Sequence, residues 1–398
     1  MTDDELYDRR EQTQVKHYIL RHYLERFAHI VLSHWSSISY VDGFAGPWNA
    51  RSPDLKDTSF SIALEELRKA RETYRQKGKH VQLRCCFLER DREAYTQLHR
   101  FAESVTDARV LDLNSSFEDS IPSILRFIRS DQQTFPFIFI DPTGWTGFAM
   151  KTISPLLELE PGEVLINFMI GHIRRFLKEE RSEQSFIDLF GSARFKERVA
   201  TLSGQDLDDE AVSEYMDGLK KEGKYRFVLP AIVLHPEFNR THFHLIYATR
   251  HPKGVEVFKE TEKRAMLEME RVRAEAQKRR QEERTGQWAL FSAEEAPESR
   301  YYTELRERYL RKSRLRVLTI LRERSRVSYE EAWALSLESP LVWESDLKDW
   351  LEEWRREGVL RIEGLQGRER VPKRERSHVL VWQEASKGGR EPARGGVQ

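Results

Sequence analysis

The spacing of apolar positions divides the chain into alternating helical and extended segments. Residues 1–37 place Tyr18, Ile19, His22, Tyr23, Phe27, Ile30 and Val31 at helical intervals around Lys16 and Arg21 and predict a helix. Short apolar runs, often β-branched, predict strands at 39–41, 81–88, 110–112, 135–140, 163–169, 226–234 and 242–249. Amphipathic helices are predicted between them at 61–75, 93–101, 121–129 and 151–159, with helical material to about 222. Strands alternating with helices argue for a mostly parallel sheet covered on both faces, with an antiparallel pair at its end.

The pattern changes after 255. Nine basic and eight acidic residues crowd 256–284, the composition of a solvated helix laced by ion pairs, so 256–300 reads as a charged linker. Beyond it, helices at 301–324, 328–337 and 344–357 precede two strand-like arms at 358–362 and 378–382, the order of a winged helix-turn-helix domain over 301–385. The Gly- and Arg-rich stretch 386–398 reads as a disordered tail.

Composition narrows the class. The 398 residues are 39 % hydrophobic with 21 Phe, 13 Tyr and 9 Trp, enough for packed cores. Basic and acidic residues number 66 each, so net charge gives no reason to expect a polyanionic partner. The adjacent Cys85 and Cys86 lie in an apolar run and read as buried thiols. The acidic start has no apolar leader and no run approaches membrane-spanning length, so a cytoplasmic protein without membrane association is expected.

Candidate chemistry gathers at strand ends. Asp42-Gly43-Phe44-Ala45-Gly46-Pro47 follows the first strand, where a glycine-rich turn lets backbone approach a ligand at the switch point of a doubly wound sheet. Glu89 ends the second strand, placed to accept from ribose hydroxyls, although the helix-capping acid Asp91 close by offers a plainer account of that segment. Asp112 ends the third, a place for an adenine contact or for an ordinary loop acid. Asp141-Pro142-Thr143-Gly144-Trp145 follows the most apolar strand: a carboxylate to orient a substrate amine, a stiffened turn, and an indole face for stacking. These four acids are expected to converge on one sheet edge. The 47 residues from Asp42 to Glu89, against about 20 in the dinucleotide fingerprint, disfavour a nicotinamide enzyme. His242 and His244 would share a strand face, but no further metal ligands accompany them.

Together Lys16-His17-Tyr18-Ile19-Leu20, Tyr40 to Pro47, Phe87-Leu88-Glu89-Arg90-Asp91, Phe139 to Trp145 and Val164 to Met169 resemble the three-Cys-motif partner protein (TcmP) family over roughly 16–250. The resemblance implies a Rossmann-like class I methyltransferase α/β fold over 1–255 followed by a smaller winged helix. It also implies S-adenosylmethionine as cofactor and a partner that looks like a radical-SAM three-Cys-motif protein. By resemblance Asp42, Gly43, Phe44, Ala45 and Gly46 would line the methionine end of the cofactor, Glu89 its ribose and Asp112 its adenine. Asp141, Pro142 and Trp145 would form the catalytic mouth for methyl transfer to an amine.

Trp48, Thr58 and Thr143 replace residues usual in the family and motivate the alternative of a non-catalytic adaptor. Between 306 and 326 nine basic residues face only two acidic ones, so Arg311, Lys312, Arg314 and Arg316, with Lys373 and Arg374 at the hairpin tip, are candidate contacts to DNA or RNA. The acidic 344–357 helix equally fits a domain that docks a protein.

Overall fold

A computed structural model describes residues 3–47, 50–142, 144, 148–176, 183–190, 195–285, 299–367 and 369–383. Its chain divides into two compact units, Met1–Glu304 and Leu305–Gln398. The predicted tail at 386–398 lies outside the described residues, as do Trp48, Thr143 and Trp145. Among the described residues no helix is long and apolar enough to cross a membrane.

In the first unit α1 (Asp3–Tyr7) and α2 (Glu11–His34) precede β1 (Ser37–Asp42), so the predicted N-terminal helix is broken at Asp8–Arg10, where Arg9 takes a positive φ of 58°. Then follow α3 (Ser59–Gln76), β2 (Gln82–Leu88), α4 (Arg92–Ser104), β3 (Arg109–Leu113), α5 (Phe117–Arg129) and β4 (Thr134–Ile140). The second half comprises α6 (Met150–Leu157), β5 (Glu163–Phe168), α7 (Ile170–Phe176), α8 (Glu183–Phe190), α9 (Phe195–Val199), α10 (Gly204–Gly223), β6 (Phe227–Leu234), β7 (Thr241–Thr249) and α11 (Pro252–Thr285).

The seven strands lie in the order β3-β2-β1-β4-β5-β7-β6. All run parallel except β7, which pairs antiparallel with both β5 and β6. Every residue of β1, β5 and β6 is buried, as strands covered on both faces must be. This is a doubly wound, Rossmann-like α/β sheet of class I methyltransferase type. Its order reverses between β1 and β4, opening a crevice at their carboxyl ends, where folds of this kind bind ligands.

Residues 256–284 are not the solvated linker that their charge predicts. Val255, Phe258, Glu262, Ala265, Met269, Val272 and Ala276 of α11 recur at alternating intervals of three and four and are all buried, where α11 packs against α2, β6 and β7. Ion pairs such as Arg271–Glu275 occupy its outer side. Charge dominated the composition, but a narrow apolar stripe decides where a helix goes.

The second unit takes in α12 (Arg300–Arg324) from Leu305 on, then β8 (Arg326–Ser328), α13 (Tyr329–Leu337), α14 (Glu344–Arg356), β9 (Leu360–Glu363) and β10 (Val379–Trp382), with the strands in the antiparallel order β8-β10-β9. Trp333, Tyr329, Leu347 and Leu380 fill its core. Three helices and a terminal hairpin thus occur in the expected order, with a short extra strand between the first two helices.

Candidate functional site

A cavity of about 910 Å³ opens at the carboxyl edge of the sheet and is lined from β1, β2, β4 and β5 and from the N-terminal half of α2. Gly43, Phe44, Gly46, Glu89, Asp141 and Pro142 line it; Asp42, Ala45 and Asp112 do not. The predicted convergence of four acids therefore reduces to two at the cavity wall.

Asp42 is the foundation of the first turn. It is fully buried, with Oδ1 accepting from the Phe44 N–H at 3.1 Å and Oδ2 from the Ser59 hydroxyl at 2.6 Å. Burial pushes its carboxyl up to about 6, with Asp141 adding to the shift and the two hydrogen bonds and Lys16 opposing it. The Gly43 and Ala45 N–H groups donate to Phe139 and Leu88 carbonyls, at 3.0 and 2.7 Å, stitching the turn to β4 and β2 and burying Ala45. A Cβ built on Gly43 would lie 2.7 Å from Cδ2 of Phe117. The glycine thus admits an aromatic ring, besides facing the cavity.

Glu89 is buried at the end of β2, its Oε1 accepting from the Asp91 N–H at 2.6 Å. Asp91 in turn caps α4 by accepting from the Glu93 and Ala94 N–H groups. Asp112 is held instead by the Tyr95 hydroxyl at 2.9 Å and His99 Nδ1 at 2.7 Å, and that hydrogen bond raises the His99 pKa. Both bonds fall on Oδ2 of Asp112.

Asp141 joins residues far apart in the chain. Lys16 Nζ of α2 donates to its Oδ2, and Asn167 Nδ2 at the end of β5 donates to its Oδ1 at 2.6 Å. Both members of the ion pair are largely buried, with side-chain exposures of 13 % and 14 %. Asn167 is itself buried, and its Oδ1 accepts no hydrogen bond among the described residues. Pro142 follows, buried.

His17 and His242 also line the cavity. His17 bonds the Tyr7 hydroxyl at 2.9 Å, and burial, with Lys16 and Arg10 nearby, holds its pKa well below the usual value. Burial, then His235 and Arg240, lower His242 to about 4, so both imidazoles are uncharged at neutral pH. Among the described residues no group of three metal-ligating side chains exists, and His244 is a buried neutral imidazole lowered to about 4 by burial. Lys16 and Asn167 are the site residues that strand-end reasoning passes over. Asn167, a lone amide near the carboxyl end of β5, carried the same signal as the acids.

No family model and no curated protein matches this sequence. Among solved structures the chain is similar to protein LPL1258 from Legionella pneumophila, at 11% identity over 62% of this chain and 88% of that one, TM-score 0.36. It is also similar to a loganic acid methyltransferase with SAH, at 7% identity over 68% and 88%, TM-score 0.30. A third is mycolic acid cyclopropane synthase CmaA1 complexed with SAH and CTAB, at 9% over 64% and 75%, TM-score 0.27. At these scores the fold assignment rests on strand order and direction.

In the second unit the candidate nucleic-acid residues are engaged in pairs. Arg314 binds Glu353 at 2.7 Å, Arg316 binds Glu338 at 3.1 Å, and Arg311 reaches Glu307 at 3.5 Å. Lys373 and Arg374 pair with Glu369 and Glu375, each at 3.5 Å, and Arg374 also lies over the Trp333 ring. Lys312 has an interaction of its own. The basic α12 and the acidic α14 are therefore partners, and the net +7 of the stripe is largely answered within the unit.

Proposed function

We propose that the first unit binds S-adenosylmethionine in the crevice between β1 and β4 and transfers its methyl group to an amine. In keeping with the family resemblance, it would act with a radical-SAM-like three-Cys-motif protein. Supporting the cofactor are the cavity's place at the switch point, the Gly43-to-Gly46 turn along its wall and a buried carboxylate, Glu89, at the end of β2. When bound, S-adenosylmethionine would supply an electrophilic methyl group whose C–S electron pair stays with sulfur, the amine's proton being given up to solvent.

The observation that carries the reaction is Asp141, fixed by Lys16 and Asn167 at the cavity wall. Held at both oxygens, it can accept from an acceptor N–H and aim the nitrogen lone pair, an orienting role. Pro142 stiffens the turn that carries it. The test is mass-spectrometric detection of S-adenosylhomocysteine when the protein, alone and with its three-Cys-motif partner, is given S-adenosylmethionine and an amine-bearing cell extract. Formation that falls at least about a hundredfold in Asp141→Ala supports the proposal. Equal formation by wild type and variant, or none, contradicts it.

A further inference from the structure

On the reading that the cavity holds S-adenosylmethionine, we infer that His17 is a cofactor-binding residue. Its Nε2–H donates to the carboxylate at the methionine end, and the Tyr7 hydroxyl fixes the tautomer that makes this possible.

That tautomer follows from the local fold. The break between α1 and α2 turns Tyr7 back onto α2, where its hydroxyl lies 2.9 Å from Nδ1 of His17 and the two rings meet edge to face with centroids 5.6 Å apart. A phenol is the stronger acid of the two and an imidazole nitrogen the stronger base, so the hydroxyl donates and Nδ1 accepts. The ring is uncharged at neutral pH, which leaves its one N–H proton on Nε2. His17 is 6% exposed, yet Nε2 has no hydrogen-bond partner among the described residues and is not sealed from the cavity that the residue lines. A nearly buried donor without a partner in the protein is complementary to an acceptor that a ligand brings.

Three observations make that acceptor the methionine carboxylate. Gln12, Thr13, Lys16 and His17 all line the cavity at spacings that set them on one face of α2, so His17 belongs to a face rich in N–H and O–H donors. The charges that act on His17 are those of Lys16, Arg10 and Arg21, all cationic, whereas Glu89, Asp91 and Glu118 line the cavity from the end of β2, the turn after it and α5. An anionic group is therefore better placed on the α2 side. Lys16 and Arg10 are themselves answered by Asp141 and Asp57, but a neutral N–H needs no counter-charge and keeps its donor for the ligand. Finally, Arg10 pairs with Asp57 at 2.5 Å, and two residues on Ser59 donates to Asp42 at the root of the Gly43-to-Gly46 turn. These contacts set the α2 face beside that turn, the place left for the amino-acid end once Glu89 takes the ribose.

The experiment compares binding of S-adenosylmethionine and its decarboxylated analogue, which differ by the carboxylate alone, to the full chain by isothermal titration calorimetry. A hydrogen bond to a charged group sets the scale: wild type should prefer S-adenosylmethionine by at least about tenfold, and His17→Phe should cut that preference by at least about tenfold. Affinity for the analogue should stay within about threefold of wild type in the variant, which a merely structural role for His17 would not allow. Should His17→Phe fail to fold, Tyr7→Phe, which frees the tautomer, takes its place and should cut the preference by at least about threefold. No preference in wild type, an unchanged preference in a folded variant, or an equal loss for both ligands overturns the inference alone. Binding of neither ligand by wild type overturns the cofactor reading and this inference with it.

Discussion

Replacing Gly43 by alanine distinguishes packing from ligand approach as the reason for glycine in the first turn. The new Cβ would sit 2.7 and 2.8 Å from Cδ2 and Cε2 of Phe117, against about 3.5–4.0 Å for comfortable carbon contacts. The ring must therefore move by roughly 1 Å. Phe117 is 2% exposed and packs against Phe44 with centroids 5.5 Å apart, so little free space receives it. Overpacking of this kind costs about 1–3 kcal/mol, and the entropic gain of Gly→Ala returns about 0.4–1 kcal/mol. The midpoints leave a net loss of about 1 kcal/mol, a fall of a few degrees in Tm. Urea unfolding measures it. In a Phe117→Leu background the smaller side chain relieves the clash, so Gly43→Ala should cost measurably less there. Unchanged stability of Gly43→Ala, or an equal cost in both backgrounds, would refute the packing argument.

Other predictions follow from burial and charge. Asp42 has its carboxyl raised from 3.8 to about 6, so its contribution to stability is fullest below about pH 4 and is lost as pH rises through about 6, by roughly 3 kcal/mol. Measured against Asp42→Asn in urea, wild-type stability should decline over that window and level off above it. On α11, Ala265→Glu buries an unpaired charge at a fully buried position and should cost several kcal/mol, while Leu267→Glu, at 69% exposed, should change stability by less than about 0.5 kcal/mol. Equal, small effects in calorimetric melting would restore the linker reading. Burial pushes the Cys85 thiol up to about 12, and Cys86 is raised further in the same direction, so neither should react with a thiol reagent at pH 8 until the protein is unfolded. The exposed Arg314–Glu353 pair is worth less than about 1 kcal/mol, so Arg314→Ala should leave the melting of the second unit nearly unchanged.

The sheet was legible because its strands are buried on both faces and appear as uninterrupted apolar runs, and the turns that close them carry glycine, proline and acids. The strand order and the insertion of β7 between β5 and β6 are long-range pairings that no local pattern encodes. Asp141 and Glu89 were visible as acids ending apolar strands. Asp42 and Asp112 carried the same signal, yet both oxygens of Asp42 are taken up by Ser59 and the Phe44 N–H, and Oδ2 of Asp112 by Tyr95 and His99. A strand-end carboxylate announces a hydrogen-bonding task without revealing whether its partner is a ligand or the protein. Lys16 stood in the sequence only as a helix and motif residue, and the fold of α2 against the sheet is what brings it to Asp141. The charge of the α12 stripe was counted along one helix, whereas ion-pair partners on α14, among them Asp346 and Glu353, become visible only in the folded unit.

The central claim is that the cavity between β1 and β4 holds S-adenosylmethionine. Isothermal titration calorimetry of the full chain tests it directly, with Glu89→Ala as the comparison. Saturable one-to-one heat from wild type, with affinity reduced at least about tenfold in the folded variant, is the expected result. An absence of heat from wild type, confirmed by equilibrium dialysis with labelled S-adenosylmethionine, would contradict it.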